Sequence, residues 1–530
     1  MRRVSRGVLF IVAAACTACT GNYWLGGKRA LASRERDGGG VVQEAGIGNV
    51  IREAGVGDHV LGGDVVLSGD DSADFSAGDA GACRIIGNGH VIRSDGTWTG
   101  HLSIDGCTVE NLGSAASPAI SLVAYGNGAT TIEGTTFDGS GTIHVTNEDD
   151  SATTFRNNVI LPSSTVTLDA TAGATTPAFL ADGPSTTAKV FQGNRIYRST
   201  ASFLSPNWLI GGSTDAESNL IVGLRAGLVL GASGLVVRGN YVHVVHYAGA
   251  GDEAAVTANY GTVDTLAEHN VFRGGTWVLR GFGGELRYNA IIDAQYSAWL
   301  NQPFENTKVH HNLFFMCAAP QSDVQAGIYL VNDRAIGIEV YNNTLDGGGP
   351  DKRFTGAAIA VDNGCFLSSL RSNLIFDFPF QENDGGAAAV RPGLIEGIAP
   401  PPARLGYADY NLFYNPDASP ARNYGLAVSG LTVRVDAGFG EHDATSGGPV
   451  DQQVNPGALG VSGCFPWSDD DIENATVTMS TVLAALRAGY SPATGSAPLG
   501  AGDPADGTGN YIGAIGDGTL AQDLFGTFGH

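Results

Sequence analysis

Between residues 155 and 413 one pattern recurs ten times: an apolar residue, two variable residues, an asparagine, one more residue, and a second apolar residue. It reads F-R-N-N-V-I from Phe155, V-R-G-N-Y-V from Val237, L-R-Y-N-A-I from Leu286, V-H-H-N-L-F from Val309, V-Y-N-N-T-L from Val340 and L-R-S-N-L-I from Leu370. The asparagines are Asn158, Asn194, Asn219, Asn240, Asn270, Asn289, Asn312, Asn343, Asn373 and Asn411, spaced by 19 to 38 residues. Unequal loops inserted into one constant coil produce such spacing, which is the signature of a solenoid. Asparagine tolerates the left-handed backbone region better than any other non-glycine residue, so a fixed Asn between short strands is expected at a tight bend. Stacked coils would line these side chains into a hydrogen-bonded ladder.

The segments before each Asn alternate apolar and other residues: A-G-L-V-L from Ala226, A-A-V-T-A from Ala254, A-G-I-Y-L from Ala326 and G-A-A-I-A-V from Gly356. They read as strands of four to five residues with small residues at the corners. On these repeats the chain resembles the right-handed parallel β-helix proteins, a group that includes pectate, alginate and chondroitin lyases, uronan epimerases and many surface proteins. The resemblance implies an all-β, right-handed parallel β-helix with short N- and C-terminal caps. It says little about chemistry, because one fold hosts many activities. A β-sandwich gives no reason for an Asn at the same place in every unit. The helix is placed at 41–460 and a C-terminal cap at 461–530. A short helix over Val42 to Ala54 is expected to cover the first rung, and a second helix is expected over Thr478 to Tyr490.

Composition agrees. Glycine is 77 of 530 residues and charged residues are 15%, as many tight corners and few solvated helices would require. Arg2, Arg3 and Arg6 precede an apolar run from Gly7 to Ala15 that ends in three alanines before Cys16. That is a secretory signal of the bacterial lipoprotein type, residues 1–16, with Cys16 as the lipidated terminus and 17–40 as a tether. Ordinary cleavage is an alternative, as is lipidation at Cys19, where Cys16 rather than an aliphatic residue would sit three positions earlier. The expected location is therefore the outer membrane or cell surface, or otherwise the periplasm or medium, with membrane contact only through the lipid. Cys83, Cys107, Cys317, Cys365 and Cys464 remain, so at least one is unpaired. Cys83 and Cys107 lie 24 residues apart, about one coil, and either stack as a disulfide or fill the core as small apolar groups.

The net charge is −24 with only four lysines, which excludes a basic footprint for nucleic acid. Asp469, Asp470 and Asp471 with Glu473 could supply oxygen ligands to Ca²⁺, or form a solvated acidic turn. No G-x-S-x-G, H-E-x-x-H or P-loop occurs. His243 and His246, and the adjacent His310 and His311, would point to opposite faces of a strand and read as turn or ladder residues.

If Leu228, Leu230, Val256, Ala258, Ile328, Leu330, Ile359 and Val361 point inward, the positions beside them point out. That outer strip carries Asn259, Tyr260, Arg280, Trp299, Asn301, Gln302, Tyr329, Asn332, Asp333, Asp362 and Asn363. Aromatic rings with amides and carboxylates suit a sugar chain, stacking on its rings and pairing with its hydroxyls. The reading is a monomeric exported protein that binds, and as an enzyme would cleave or epimerise, an extracellular polysaccharide. The resemblance implies an Arg or Lys base, which points to Arg280 with Asp362, although a guanidinium gives up a proton only with strong local help. The alternative is a non-catalytic structural or adhesive surface protein.

Overall fold

The computed structural model describes the chain from 58 to 414 with breaks at 77–81, 162–176, 246–252, 260–261, 296–297, 318–325, 332–334, 349–356, 362–364, 379–389 and 393–404. It also describes short strands at 42–44, 427–428 and 432–433, and residues 459–516 except 495, 497, 500–501 and 504–510. Within the unit Val41–His530, each coil lays down three short strands, one in each of three parallel sheets. Sheet A has 15 strands, from Val42–Glu44 to Leu412–Tyr414. Sheet B has 13, from Ala73–Ser76 to Leu405–Asp409, and sheet C has 13, from Val65–Gly69 to Val390–Pro392. The fold is a parallel β-solenoid. Thirteen rungs at about 4.8 Å each give a stack on the order of 60 Å.

The repeated asparagines sit at the bend from sheet B to sheet A, and all ten are buried. The Oδ1 of Asn289 accepts both the backbone N–H and the Nδ2 of Asn270, at 3.0 and 2.9 Å. The Nδ2 of Asn289 donates to the Ala267 carbonyl one rung back and to Oδ1 of Asn312 one rung on. The same pattern links Asn158 to Asn194 and continues to Asn373 and Asn411. In nine of the ten units the left-handed residue is the one before the Asn, contrary to expectation, whereas Ser218 before Asn219 has φ −68°. Asn157, His269, Tyr288, His311, Asn342, Ser372 and Tyr410 have φ between 49 and 57°, while no ladder Asn has positive φ. The reason is directional: the Asn must aim its amide along the stack, so the reversal falls on its predecessor, whose strain the ladder bonds offset.

Inward side chains fill the solenoid. Phe155 stacks on Phe191 at 5.3 Å, and Phe203 meets Trp208 edge-on at 5.3 Å. Cys83 and Cys107 lie directly opposite each other on neighbouring strands of sheet A and form a disulfide. A second disulfide joins Cys317 to Cys464, and Cys365 is buried outside both disulfides.

One expected cap differs. Val42–Glu44 is a strand of sheet A paired with Asp58–Leu61, not the start of a helix. The described residues of the C-terminal segment, within 459–516, pack along the outer flank of sheet A. In early rungs the outward file of that sheet is polar, with Arg84, Thr108 and Thr136. From Leu220 onward it turns apolar through Tyr241, Val271, Ala290 and Leu313. Helix α1 (Asp469–Glu473) and helix α2 (Met479–Tyr490) cover this stretch. Met479, Val482, Leu483, Leu486 and Tyr490 of α2 recur on one helical face and are buried in one cluster with the sheet. The helix expected over Thr478 to Tyr490 forms, and Thr478 is its cap, accepting from the Thr481 N–H.

Polar clasps fix the segment. Tyr241 donates its hydroxyl to Asp469 at 2.7 Å, and His243 Nδ1 lies 2.8 Å from both oxygens of that carboxylate. Asp215 accepts from the Ser480 N–H and hydroxyl, and Tyr490 donates to Asp346. The acidic run is therefore used structurally: Asp471 also closes a capping box with Ser468. Among the described residues no group of three His, Cys, Asp or Glu forms a cation site, so nothing in the geometry supports the Ca²⁺ reading of this run.

Two outcomes follow. Asn289→Ala should cost about 1–3 kcal/mol, because it strands a buried N–H and an amide on each side; urea unfolding measures it, and a neutral result would refute a stabilising role for the ladder. Burial alone would raise the Asp469 pKa, but His243, Tyr241 and the Arg273 charge hold it below the usual carboxylate value. Its contribution is thus present above the unfolded pKa of about 3.9 and lost as pH falls through the depressed value. Asp469→Asn should flatten the wild-type loss of Tm below about pH 4, and an unchanged profile would contradict this.

Candidate functional site

The three outer faces differ in their chemistry. On sheet B, buried Glu268 takes both Arg238 and Arg287, and Glu285 pairs with Arg287 and His310. Glu285 is pulled down to about 2, chiefly by the hydrogen bond from His310. His310 stacks flat on Tyr341 at 4.6 Å, with Arg371 over the other ring contact at 4.2 Å. His310 and His311 also share a contact between their Nδ1 atoms at 2.8 Å, so this pair is part of an internal network. Sheet A is covered by the C-terminal segment over its later rungs. Sheet C presents a file of outward residues in register from rung to rung.

Strand register defines that file. Val229 pairs with Thr257, Thr257 with Arg280, Arg280 with Asn301, Asn301 with Tyr329 and Tyr329 with Ala360. Their inward neighbours Leu228, Val256, Leu279, Leu300, Ile328 and Ile359 are 1% exposed or less. The inward and outward assignment of these strands therefore agrees with expectation, and Arg280, Asn301 and Tyr329 come together on consecutive rungs. The Arg280 guanidinium lies over the Trp277 ring, 4.8 Å from its centroid. This contact holds a planar donor fork in place on the face. Asn301 is 5% exposed, and its Oδ1, like the Trp277 Nε1, is buried with no partner among the described residues. Such groups cost free energy unless something else completes them. Asn259 is exposed at the corner after Ala258, and Gln302 is half-buried with a left-handed backbone, φ 57°.

Trp299 is a correction. It is 0% exposed and packs against Phe314 at 5.8 Å and Phe378 at 6.0 Å. Alternation fails here because two consecutive residues of each strand turn inward where the chain enters sheet C. Val278 with Leu279, Trp299 with Leu300, and Ala358 with Ile359 are all buried pairs. Gly327, one rung on, makes room for the indole: a Cβ there would lie 2.8 Å from the Trp299 ring. Tyr260, Asn332, Asp333, Asp362, Asn363 and Cys16 lie outside the described residues.

Trp277 is the residue that sequence reasoning missed. Its partner in register is Ala298, and the equivalent pair two turns on is Ala326 with Ala357. One indole in a column of alanines was a visible signal once the register was known.

No family model and no curated protein sequence matches the chain. Among solved structures it is similar to the periplasmic alginate epimerase AlgG, at 11% identity and a TM-score of 0.35, over 65% of this chain and 79% of that one. A mutant of the same enzyme gives 10% identity and 0.33, over 67% and 79%. The likeness lies in the winding of the strands.

Trp299→Ala should lower stability by about 3–5 kcal/mol as a buried large-to-small change. Denaturant unfolding checks it, and a loss below about 1 kcal/mol would contradict a core role.

Proposed function

We propose that this is an exported protein that binds a polysaccharide laid along the outer face of sheet C, with Arg280, Asn301 and Tyr329 as its contacts. The observation that carries the reading is the register of these three side chains on successive rungs, with Trp277 holding Arg280 from below. A rung repeat of about 4.8 Å is close to the length of one pyranose along a glycan, so a linear chain can meet equivalent positions on consecutive rungs. Guanidinium, amide and phenol groups supply donors and acceptors for hydroxyls and carboxylates. In this reading Arg280 is a hydrogen-bond donor rather than a base, since a guanidinium gives up a proton only with strong local help. Asn259 and Gln302 flank the strip, and Tyr260, Asn332, Asp333, Asp362 and Asn363 are further contacts of the proposal.

Export is supported by two disulfides, which persist in oxidising compartments, and by the basic, apolar and small-residue start of the chain. Cys16 is then the lipid attachment point, and the membrane is met through that lipid.

The test is retention of the mature protein on alginate, polygalacturonate and chondroitin, with absorbance of unsaturated products followed in parallel to detect lyase cleavage. Arg280→Ala should weaken binding by about 1–3 kcal/mol with Tm unchanged. Trp277→Ala should weaken it less, and Arg280→Lys should not restore it, because an ammonium lacks the fork. Equal retention of wild type and Arg280→Ala would sink the proposal.

A further inference from the structure

The file that holds Arg280 runs further toward the N-terminal end. Arg93 pairs with Ser121, Ser121 with His144, His144 with Leu180, Leu180 with Ser202 and Ser202 with Val229. It therefore has two polar stretches, one around His144 and one around Arg280. The four residues between His144 and Arg280, namely Leu180, Ser202, Val229 and Thr257, carry no charge. His144 and Arg280 are five rung steps apart, about 24 Å, and His144 and Tyr329 seven, about 34 Å.

His144 is not a merely solvated side chain. Its Nε2 lies 3.0 Å from Oδ2 of Asp182 and 3.4 Å from the Thr146 hydroxyl. Both contacts fall on one ring nitrogen, and Nδ1 has no partner among the described residues. A carboxylate on one nitrogen fixes the ring and its tautomer, with the proton on Nε2 and a lone pair on Nδ1. Burial would raise the Asp182 carboxyl, but His144 and Thr146 hold it below its usual value, so it stays ionised to do this. The rotamer freedom of His144 is thus restricted before any ligand arrives, which lowers the cost of binding there.

We infer that His144, oriented by Asp182, is a second contact for the same polysaccharide, so that the protein recognises an extended chain spanning both polar stretches and discriminates against short fragments. This rests on the proposed binding along sheet C. Nδ1 accepts a glycan hydroxyl, Ser121 on the adjacent rung adds a donor, and the neutral floor between lets the chain cross without a charged obstacle. Linking two weak contacts through one ligand raises affinity without any new contact in between.

The experiment compares alginate, polygalacturonate and chondroitin as polymers and as di- to tetrasaccharides. The proteins are wild type, His144→Ala, His144→Gln and Arg280→Ala, each first checked for an unchanged melting curve. His144→Gln retains a donor toward Asp182 and serves if the alanine variant misfolds. Expected is a loss of about tenfold in polymer affinity for His144→Ala or His144→Gln, the equivalent of one hydrogen bond. Fragments should bind far more weakly than polymer and be insensitive to one of the two sites. If Arg280→Ala weakens polymer binding while both His144 variants leave it unchanged, or if fragments bind as tightly as polymer, the second contact is refuted and the sheet C reading survives. If Arg280→Ala has no effect on any of the three polymers, both fall together.

Discussion

The asparagine ladder is the constraint on which the rest of this molecule depends. A parallel solenoid leaves no hairpins to hold neighbouring strands together, and each rung must reverse direction at a bend whose backbone groups are buried. Buried amides need partners, and here an Asn such as Asn289 supplies them in both directions: it accepts from and donates to the rung before, and donates to the Asn of the next rung. The ladder also sets the register. Because a slip of one residue would invert every side chain between core and solvent, the same bonds that close the bend determine which residues of sheet C face outward.

With register set, the three faces are put to different uses by different chemistry. Sheet B neutralises its own charges through Glu268, Glu285 and the arginines beside them. Sheet A becomes apolar after Leu220 and would be an exposed hydrophobic patch without α2 and its neighbours, which the Cys317–Cys464 disulfide and the Asp469 clasp hold in place. On the sheet C face Arg280, Asn301, Tyr329 and His144 stand in one file, with Asp182 beside His144.

Trp299 and Trp277 exchange roles relative to strict alternation. Trp299 precedes inward Leu300, and period-two reasoning sends it to solvent; the corner turns both residues in, and Gly327 leaves the space. Trp277 stands three residues before Arg280, where the same corner leaves it on the outer side, beneath the guanidinium. A break in alternation at the entry to each strand is a backbone property of the corner, and no pattern of apolar residues within one strand reveals it.

The sequence by itself determined the architecture: ten asparagines at coil spacing, alternating short strands and glycine-rich corners admit a stacked parallel solenoid, and they also place the Asn ladder and helix α2. Cys83 and Cys107 at one coil's separation left a pairing within reach. Only the tertiary structure decided that the left-handed residue precedes the Asn in nine of the ten units, that the C-terminal segment clasps the flank of sheet A, and that Trp299 belongs to the core. It alone brought His144 into file with Arg280, 136 residues later in the chain. The physical reason is the same in each case. Local periodicity records which face a residue prefers, whereas corner geometry and alignment between rungs arise only when coils stack and their buried polar groups must find partners on neighbouring turns.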